Sequence, residues 1–230
     1  MKELTLVGNK YSTDKAYWHM FTDVYDEWFQ PYKSEQTKHI LEIGIAGASS
    51  LRMLSEFFPH AHIEGADILD KSQFRSERIQ THMLDQGNEQ ALQQFVEKIR
   101  EQGYQFDIII DDGSHISEHQ MLTLKVLWPL LRSGGLYIVE DLHTSYRDLT
   151  SGSAYAAMIK WQQTNQLISK YIPEGDGQKI ASESSLVEIW KRDYLPLKCW
   201  KCLQTPVECG CKMDLINEGN GSITSRIVKK

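Results

Sequence analysis

The residues best equipped for chemistry lie in two short stretches, Asp111-Asp112-Gly113-Ser114-His115 and Glu140-Asp141, with Glu140 placed 28 positions beyond Asp112. Each stretch closes an apolar run, 106–110 and 136–139. Runs of this length, rich in Ile and Val and ended by acid or glycine, read as strands buried on both faces. A helical pattern over 118–131 separates them. Strand, helix and strand in that order form a right-handed crossover between parallel strands, usually neighbours. Their C-terminal ends then lie about 4.8 Å apart. Asp112, Glu140 and Asp141 can therefore converge, with His115 one turn away. Three carboxylates suit a hard divalent cation, and an imidazole beside them can accept a proton at neutral pH. Each part has a plainer reading: an Asp pair after a strand often caps a helix, and a nearby His is often a surface group. Glu-Asp after a buried strand is harder to explain so, because adjacent acids repel without a counter-ion.

The elements that must position these residues follow a regular alternation. Strand 39–43 leads into Gly44-Ile45-Ala46-Gly47-Ala48-Ser49-Ser50 and a helix over 51–58. Strand 62–66 ends at Asp67, and a strand near 79–84 ends at Asp85. A helix over 89–102 stops at Gly103, and another is expected over 153–172, before Pro173. Residues 179–181 and 186–191 read as a short antiparallel edge hairpin, and 222–228 could add a strand. The fold class expected is α/β: a doubly wound, Rossmann-like, mostly parallel sheet. Ahead of it, Ser12-Thr13-Asp14 opens a helix whose aromatic residues recur at helical spacing until Pro31. Three segments result: an N-terminal helical lid (1–38), a ligand-binding α/β domain (39–191) and a cysteine-bearing extension (192–230).

A strand, a glycine-containing turn and a helix N-terminus form the general nucleotide pocket of such sheets. Here the turn is Glu42-x-Gly44-x-x-Gly47, which lacks the third glycine that a pyrophosphate wants, and Glu42 disfavours an anion. The same turn also fits a plain strand–helix connection. Asp67, 23 positions after Gly44, stands where a carboxylate meets ribose hydroxyls, and Asp85 where a second contact to adenosine would fall. An adenosine ligand with a positive centre fits these acids, and S-adenosylmethionine is one.

Three motifs carry a family resemblance. The turn from Glu42 to Ser50, Asp111-Asp112-Gly113-Ser114-His115 with His119-Gln120, and Glu140-Asp141-Leu142-His143-Thr144-Ser145-Tyr146 resemble the metal-dependent class I O-methyltransferases typified by the macrolide sugar enzymes of the mycinamicin and tylosin pathways. Thr13-Asp14-Lys15 with His19 and Tyr25 is similar to that family's N-terminal motif. The resemblance spans roughly 9–191; the acidic motifs are specific, and the glycine turn is generic. It implies that Asp112, Glu140 and Asp141 bind magnesium and that His115 is the general base. It also implies S-adenosylmethionine held by Glu42, Gly44, Gly47, Ser49, Asp67, Asp85 and Asp111. Lys15 is placed to pair with a cofactor carboxylate, and His143 and Tyr146 to meet the acceptor or pack the loop. The acceptor expected is a sugar or polyol hydroxyl of a small natural product. A phenol, catechol or peptide-borne hydroxyl on the same scaffold, and a non-catalytic cofactor-binding scaffold, are the alternatives.

Composition sets the outer bounds. The 230 residues, 41% apolar, suit one α/β domain with an appendage. A formal charge of −6 with no basic run argues against a nucleic-acid partner. No stretch reaches the roughly 18–20 apolar residues of a membrane span, and the N-terminus lacks the apolar region of a secretion signal, so a cytoplasmic setting is expected. The aromatic N-terminal helix could serve a homo-oligomer contact. All four cysteines, Cys199, Cys202, Cys209 and Cys211, fall in one tract whose C-x-x-C and C-x-C spacing could hold a structural zinc. Reduced thiols or local disulfides are the plainer readings, and the six-residue loop between the pairs is tight for a metal.

Overall fold

The structure, a computed structural model, describes residues 1–34, 36, 38–146, 148–193 and 220–230. Its sheet holds seven strands: β1 (Lys38–Ile43), β2 (Ala61–Asp67), β3 (Ile79–Met83), β4 (Phe106–Asp111), β5 (Leu131–Val139), β6 (Ser184–Asp193) and β7 (Asn220–Lys229). They lie in the order β3-β2-β1-β4-β5-β7-β6. The first five pair in parallel, and β7 runs antiparallel to both β5 and β6. The strand order reverses between β1 and β4, so a crevice opens at their C-terminal ends, where sheets of this class hold ligands.

The side-chain alternation explains why both faces are covered. On β4, Ile108 and Ile110 enter one core and Ile109 the other, which Phe106 joins across the register shift between Phe106 and Ile108. On β5, Leu136 and Ile138 face the first, and Tyr137 and Val139 the second. The N-terminal helices α1 (Glu3–Lys10), α2 (Asp14–Tyr17) and α3 (Phe21–Phe29), with α4 (Ser49–Phe57), flank one face. Helices α5 (Glu89–Glu101), α6 (Ser117–Leu127), α7 (Ala154–Thr164) and α8 (Glu174–Glu183) cover the other. Asn88 caps α5 by accepting from the Ala91 N–H at 3.1 Å. Among the described residues no helix is long and apolar enough to cross a membrane.

Three departures from the sequence reading have local causes. The N-terminal helix is not continuous: Met20 at φ 57° separates α2 from α3, and α1 precedes both. The helix expected over 153–172 ends at Thr164, where Asn165 takes the left-handed conformation of a helix C-cap. Leu167 and Ile172 are nonetheless buried in the loop that follows, which is why the apolar pattern outlasts the helix. Residues 179–181 belong to α8 and not to an edge hairpin. The segment carries Gly175 and Gly177, and a Cβ at Gly177 would fall 2.5 Å from the Leu167 carbonyl oxygen, so packing decides the helix over propensity. The antiparallel edge is real, but its partners are β6 and β7. Residues 220–229, grouped above with the extension, thus form a strand inside the sheet.

Candidate functional site

Three strand ends, the single-turn helix α2 and one loop build the site. Register places Ile43, Asp111 and Val139 side by side across β1, β4 and β5. The Glu140 N–H donates to the Asp111 carbonyl and the Asp112 N–H to the Ile43 carbonyl, both at 2.9 Å, so the acidic residues leave the sheet together. Asp112, His115 and Asp141 come within ligand distance of one another, each offering an atom within 4.8 Å of the others'. His115 Nε2 is 3.5 Å from Asp141 Oδ2.

Glu140 sits differently. It is buried and accepts from Lys15 Nζ at 2.8 Å through Oε2, while its Oε1 has no hydrogen-bond partner. The Lys15 ammonium also lies 2.5 Å from Asp112 Oδ2 and 3.2 Å from Glu42 Oε1. Lys15 is therefore engaged by three protein carboxylates, not held free for a cofactor carboxylate. Burial pushes Glu140 well above the usual carboxylate range, with the Asp112 charge adding to it. Burial and then Asp112 raise Asp141 to about 7. Burial works against the charge on Lys15, but Asp112, Glu140 and Glu42 outweigh it and hold its pKa well above normal.

Two further imidazoles face Asp141. His19 Nδ1 lies 3.7 Å and His143 Nδ1 3.6 Å from its Oδ1. Burial lowers both histidines to about 4 and also lowers His115, leaving them neutral at pH 7. His19 shares a 2.5 Å hydrogen bond with Ser222 Oγ, so β7 helps position it. The residues fit a divalent cation on their own chemistry: hard carboxylate oxygens converge with neutral imidazole, and Asp141 Oδ1, Glu140 Oε1 and His115 Nδ1 are buried without hydrogen-bond partners.

Beside this cluster a cavity of about 210 Å³ is lined by Gly44, Asp67, Ile68, Leu84, Asp85, Gln86, Ser114 and His119, among others. Gly44 needs to be glycine: its φ is +79°, and a Cβ would meet the Asp112 carbonyl oxygen at 2.1 Å. Gly47 is exposed, with open space where a Cβ would stand. Asp67 organises the turn through Oδ2, which accepts from the Ile45 and Ala46 N–H groups at 3.2 Å. Asp85 accepts from the Gly87 N–H at 2.9 Å. Ser49 opens α4, leaving its backbone at the helix N-terminus. Glu42 and Asp111 lie behind the cavity wall, not on it. Glu42 is buried and accepts from Ser50 Oγ at 2.6 Å. Asp111 accepts from Gln86 Nε2 at 3.0 Å, and burial raises its pKa to about 7.

A larger cleft, about 820 Å³, opens at the start of β6, with Glu174 and Lys230 as its charged lining. It lacks convergent acids, so cavity size and chemistry do not coincide here. The sequence reading did not select Gln86, whose Oε1 accepts from the Ser114 N–H at 2.5 Å, and named Gln120, which donates to the Glu140 carbonyl at 2.9 Å, only within the second motif and without a role. Gln86 has no sequence signal beyond its neighbours. His19 appeared only within the N-terminal motif. The four cysteines of the zinc reading lie outside the described residues.

No family model matches the chain. Mycinamicin VI 2''-O-methyltransferase of Micromonospora griseorubida is 40% identical over 152 residues, 63% of this chain and 37% of that protein. Demethylmacrocin O-methyltransferase of Streptomyces fradiae is 41% identical over 154 residues, again 63% and 37%. Among solved structures, the MycE methyltransferase from the mycinamycin biosynthetic pathway, in complex with Mg, SAH and mycinamycin VI, superposes with a TM-score of 0.71 at 27% identity. That superposition takes in 99% of this chain and 54% of the other. The chain thus spans about half the length of the relatives it matches, or less. In sequence and in fold it is a homologue of these O-methyltransferases, built on the class I methyltransferase sheet.

Proposed function

We propose that the chain is an S-adenosylmethionine-dependent, magnesium-dependent O-methyltransferase acting on a sugar hydroxyl of a small natural product. The observation that carries this is the meeting of Asp112, His115 and Asp141 beside the cavity lined by Gly44, Asp67 and Asp85. The relatives named above methylate oxygen, and the matched crystal structure holds Mg and SAH.

Asp112 and Asp141, with the free oxygen of Glu140, would hold the cation. Gly44, Gly47, Ser49, Asp67 and Asp85 would hold the methyl donor, with Asp111 and Glu42 bracing the turn from behind. When bound, the cation would orient and acidify the acceptor hydroxyl, and the donor would supply a methyl on a positive sulfur. His115 takes the hydroxyl proton: burial keeps the imidazole neutral, with a lone pair to accept it. The oxygen's electron pair would form the new O–C bond as the C–S bond breaks, and the pair of that C–S bond would leave with sulfur as a neutral thioether. No covalent enzyme intermediate is required. His115 could instead be a cation ligand, since it shares the 4.8 Å grouping with the two acids.

A cytoplasmic setting, a self-associating N-terminal segment and a structural zinc on the cysteine tract complete the reading, the last on spacing alone. Labelled donor and Mg²⁺ supplied with a panel of glycosylated and phenolic acceptors tests the acceptor class. Methylation of glycosylated compounds is expected, and transfer restricted to phenols would redirect the reading to catechol-type chemistry.

A further inference from the structure

Lys15 is the one ammonium among the described residues placed against four clustered carboxylates, those of Glu42, Asp112 and Glu140 within 3.2 Å and Asp141 beside them. It comes from far away in sequence, 97 positions from Asp112 and 125 from Glu140. Its side chain is 2% exposed, so water does not share the charge. The helix that delivers it is a single turn packed tightly on α1, where a Cβ at Gly8 would stand 2.7 Å from that of Ala16.

The geometry points to Lys15 as a positioning residue: we infer that it is the standing counter-ion of the cluster, holding Asp112 and Glu140 in place before any divalent ion arrives. It takes one oxygen of each, Oδ2 of Asp112 and Oε2 of Glu140, and leaves the other free. Glu140 Oε1 is the visible consequence, buried and without a hydrogen-bond partner. One ammonium balances one negative charge, so the four carboxylates cannot all be ionised together without further positive charge. The same ion pairs dock the N-terminal segment onto the ends of β1, β4 and β5, so ligand-site charge and lid docking are one interaction. The counter-ion role rests on the ion pairs alone. Its extension to cation binding rests on the magnesium reading above.

Thermal unfolding of four chains, the wild type, Lys15→Met, Glu42→Gln and the double variant, each with EDTA and with saturating Mg²⁺, tests this. Breaking a buried pair in a chain of this size lowers the Tm by about 10 °C. In EDTA, Lys15→Met should show that loss, and adding Glu42→Gln should recover part of it, while Glu42→Gln alone stabilises nothing. With Mg²⁺ the gap between Lys15→Met and the wild type should narrow, because the divalent ion takes over the neutralising role. A merely structural lysine would leave the gap unchanged by Mg²⁺ in chains that bind it, and Glu42→Gln would act equally in both backgrounds; either result overturns the inference. If Lys15→Met does not fold in EDTA, recovery by Mg²⁺ or by Glu42→Gln supports the inference, and failure of both overturns it. If Mg²⁺ shifts no chain while Glu42→Gln still rescues, the magnesium reading fails and the counter-ion role stands.

Discussion

His115 and Asp141 face each other across the ends of β4 and β5, with Nε2 3.5 Å from Oδ2, and both hold left-handed backbone conformations, φ 57° and 53°. Neither is a glycine, so each carries backbone strain of the kind that collects where side chains must be aimed. Ala46 and Ala48, in the glycine turn beside them, share this feature at φ 39° and 57°. Four of the seven non-glycine residues at positive φ among the described residues thus lie at the candidate site, the others being Ser12, Met20 and Asn165.

Replacing His115 with Ala should cut methyl transfer by about 10²–10⁴-fold, the usual worth of a positioned proton acceptor, while donor affinity measured by calorimetry stays within a few-fold. Mn²⁺ binding followed by electron paramagnetic resonance separates the two roles of this residue. Unchanged Mn²⁺ affinity assigns the base, and its loss assigns a ligand.

The two glycines of the turn should behave oppositely. Gly44→Ala forces a Cβ against the Asp112 carbonyl at positive φ and should cost about 2 kcal/mol or more in denaturant unfolding. Gly47→Ala meets open space, so its stability should change little while donor affinity falls.

How much of this was legible in the chain depends on the distance over which each feature is decided. The strand ends carrying Asp67, Asp85, Asp112 and Glu140 were readable because apolar runs and their acidic stops are local, and strand–helix–strand handedness does the rest. Lys15 was not readable as a partner of Glu42 and Glu140. Nothing local says that a lysine after Thr13-Asp14 will cross to the far ends of β1 and β5. The break at Met20 and the short α8 escaped for the same reason, since tertiary packing overrides helical period in one and glycine content in the other. The position of β7 between β5 and β6 was likewise hidden, because a strand pattern over 222–228 does not name its neighbour.

Asp67→Ala should weaken the donor by about tenfold or more. It removes both the acceptor of the Ile45 and Ala46 N–H groups and the carboxylate proposed to meet the ribose; hydrogen bonds to charged groups are worth about 1.5–3 kcal/mol each. Titration calorimetry reads it directly, and unchanged affinity would remove Asp67 from the donor site.

Away from the site, Glu64 should shape acid stability. Burial opposes its charge, but hydrogen bonds from His82 at 2.5 Å and Tyr104 at 3.0 Å prevail and hold its pKa below the ordinary 4.5. A folded-state value below the unfolded one stabilises above about pH 4.5 and is lost as pH falls through the folded value. Glu64→Gln should therefore cost stability near pH 7 and little at pH 3, as read by urea unfolding at both. An equal loss at the two pH values would contradict the assignment.

The most direct test of the proposed cation site is methyl transfer from labelled S-adenosylmethionine to a glycosylated acceptor, before chelation, after exhaustive EDTA treatment and after Mg²⁺ is returned. Transfer should disappear with the metal and come back with Mg²⁺. Undiminished transfer in the metal-free enzyme would contradict the role given to Asp112, Glu140 and Asp141.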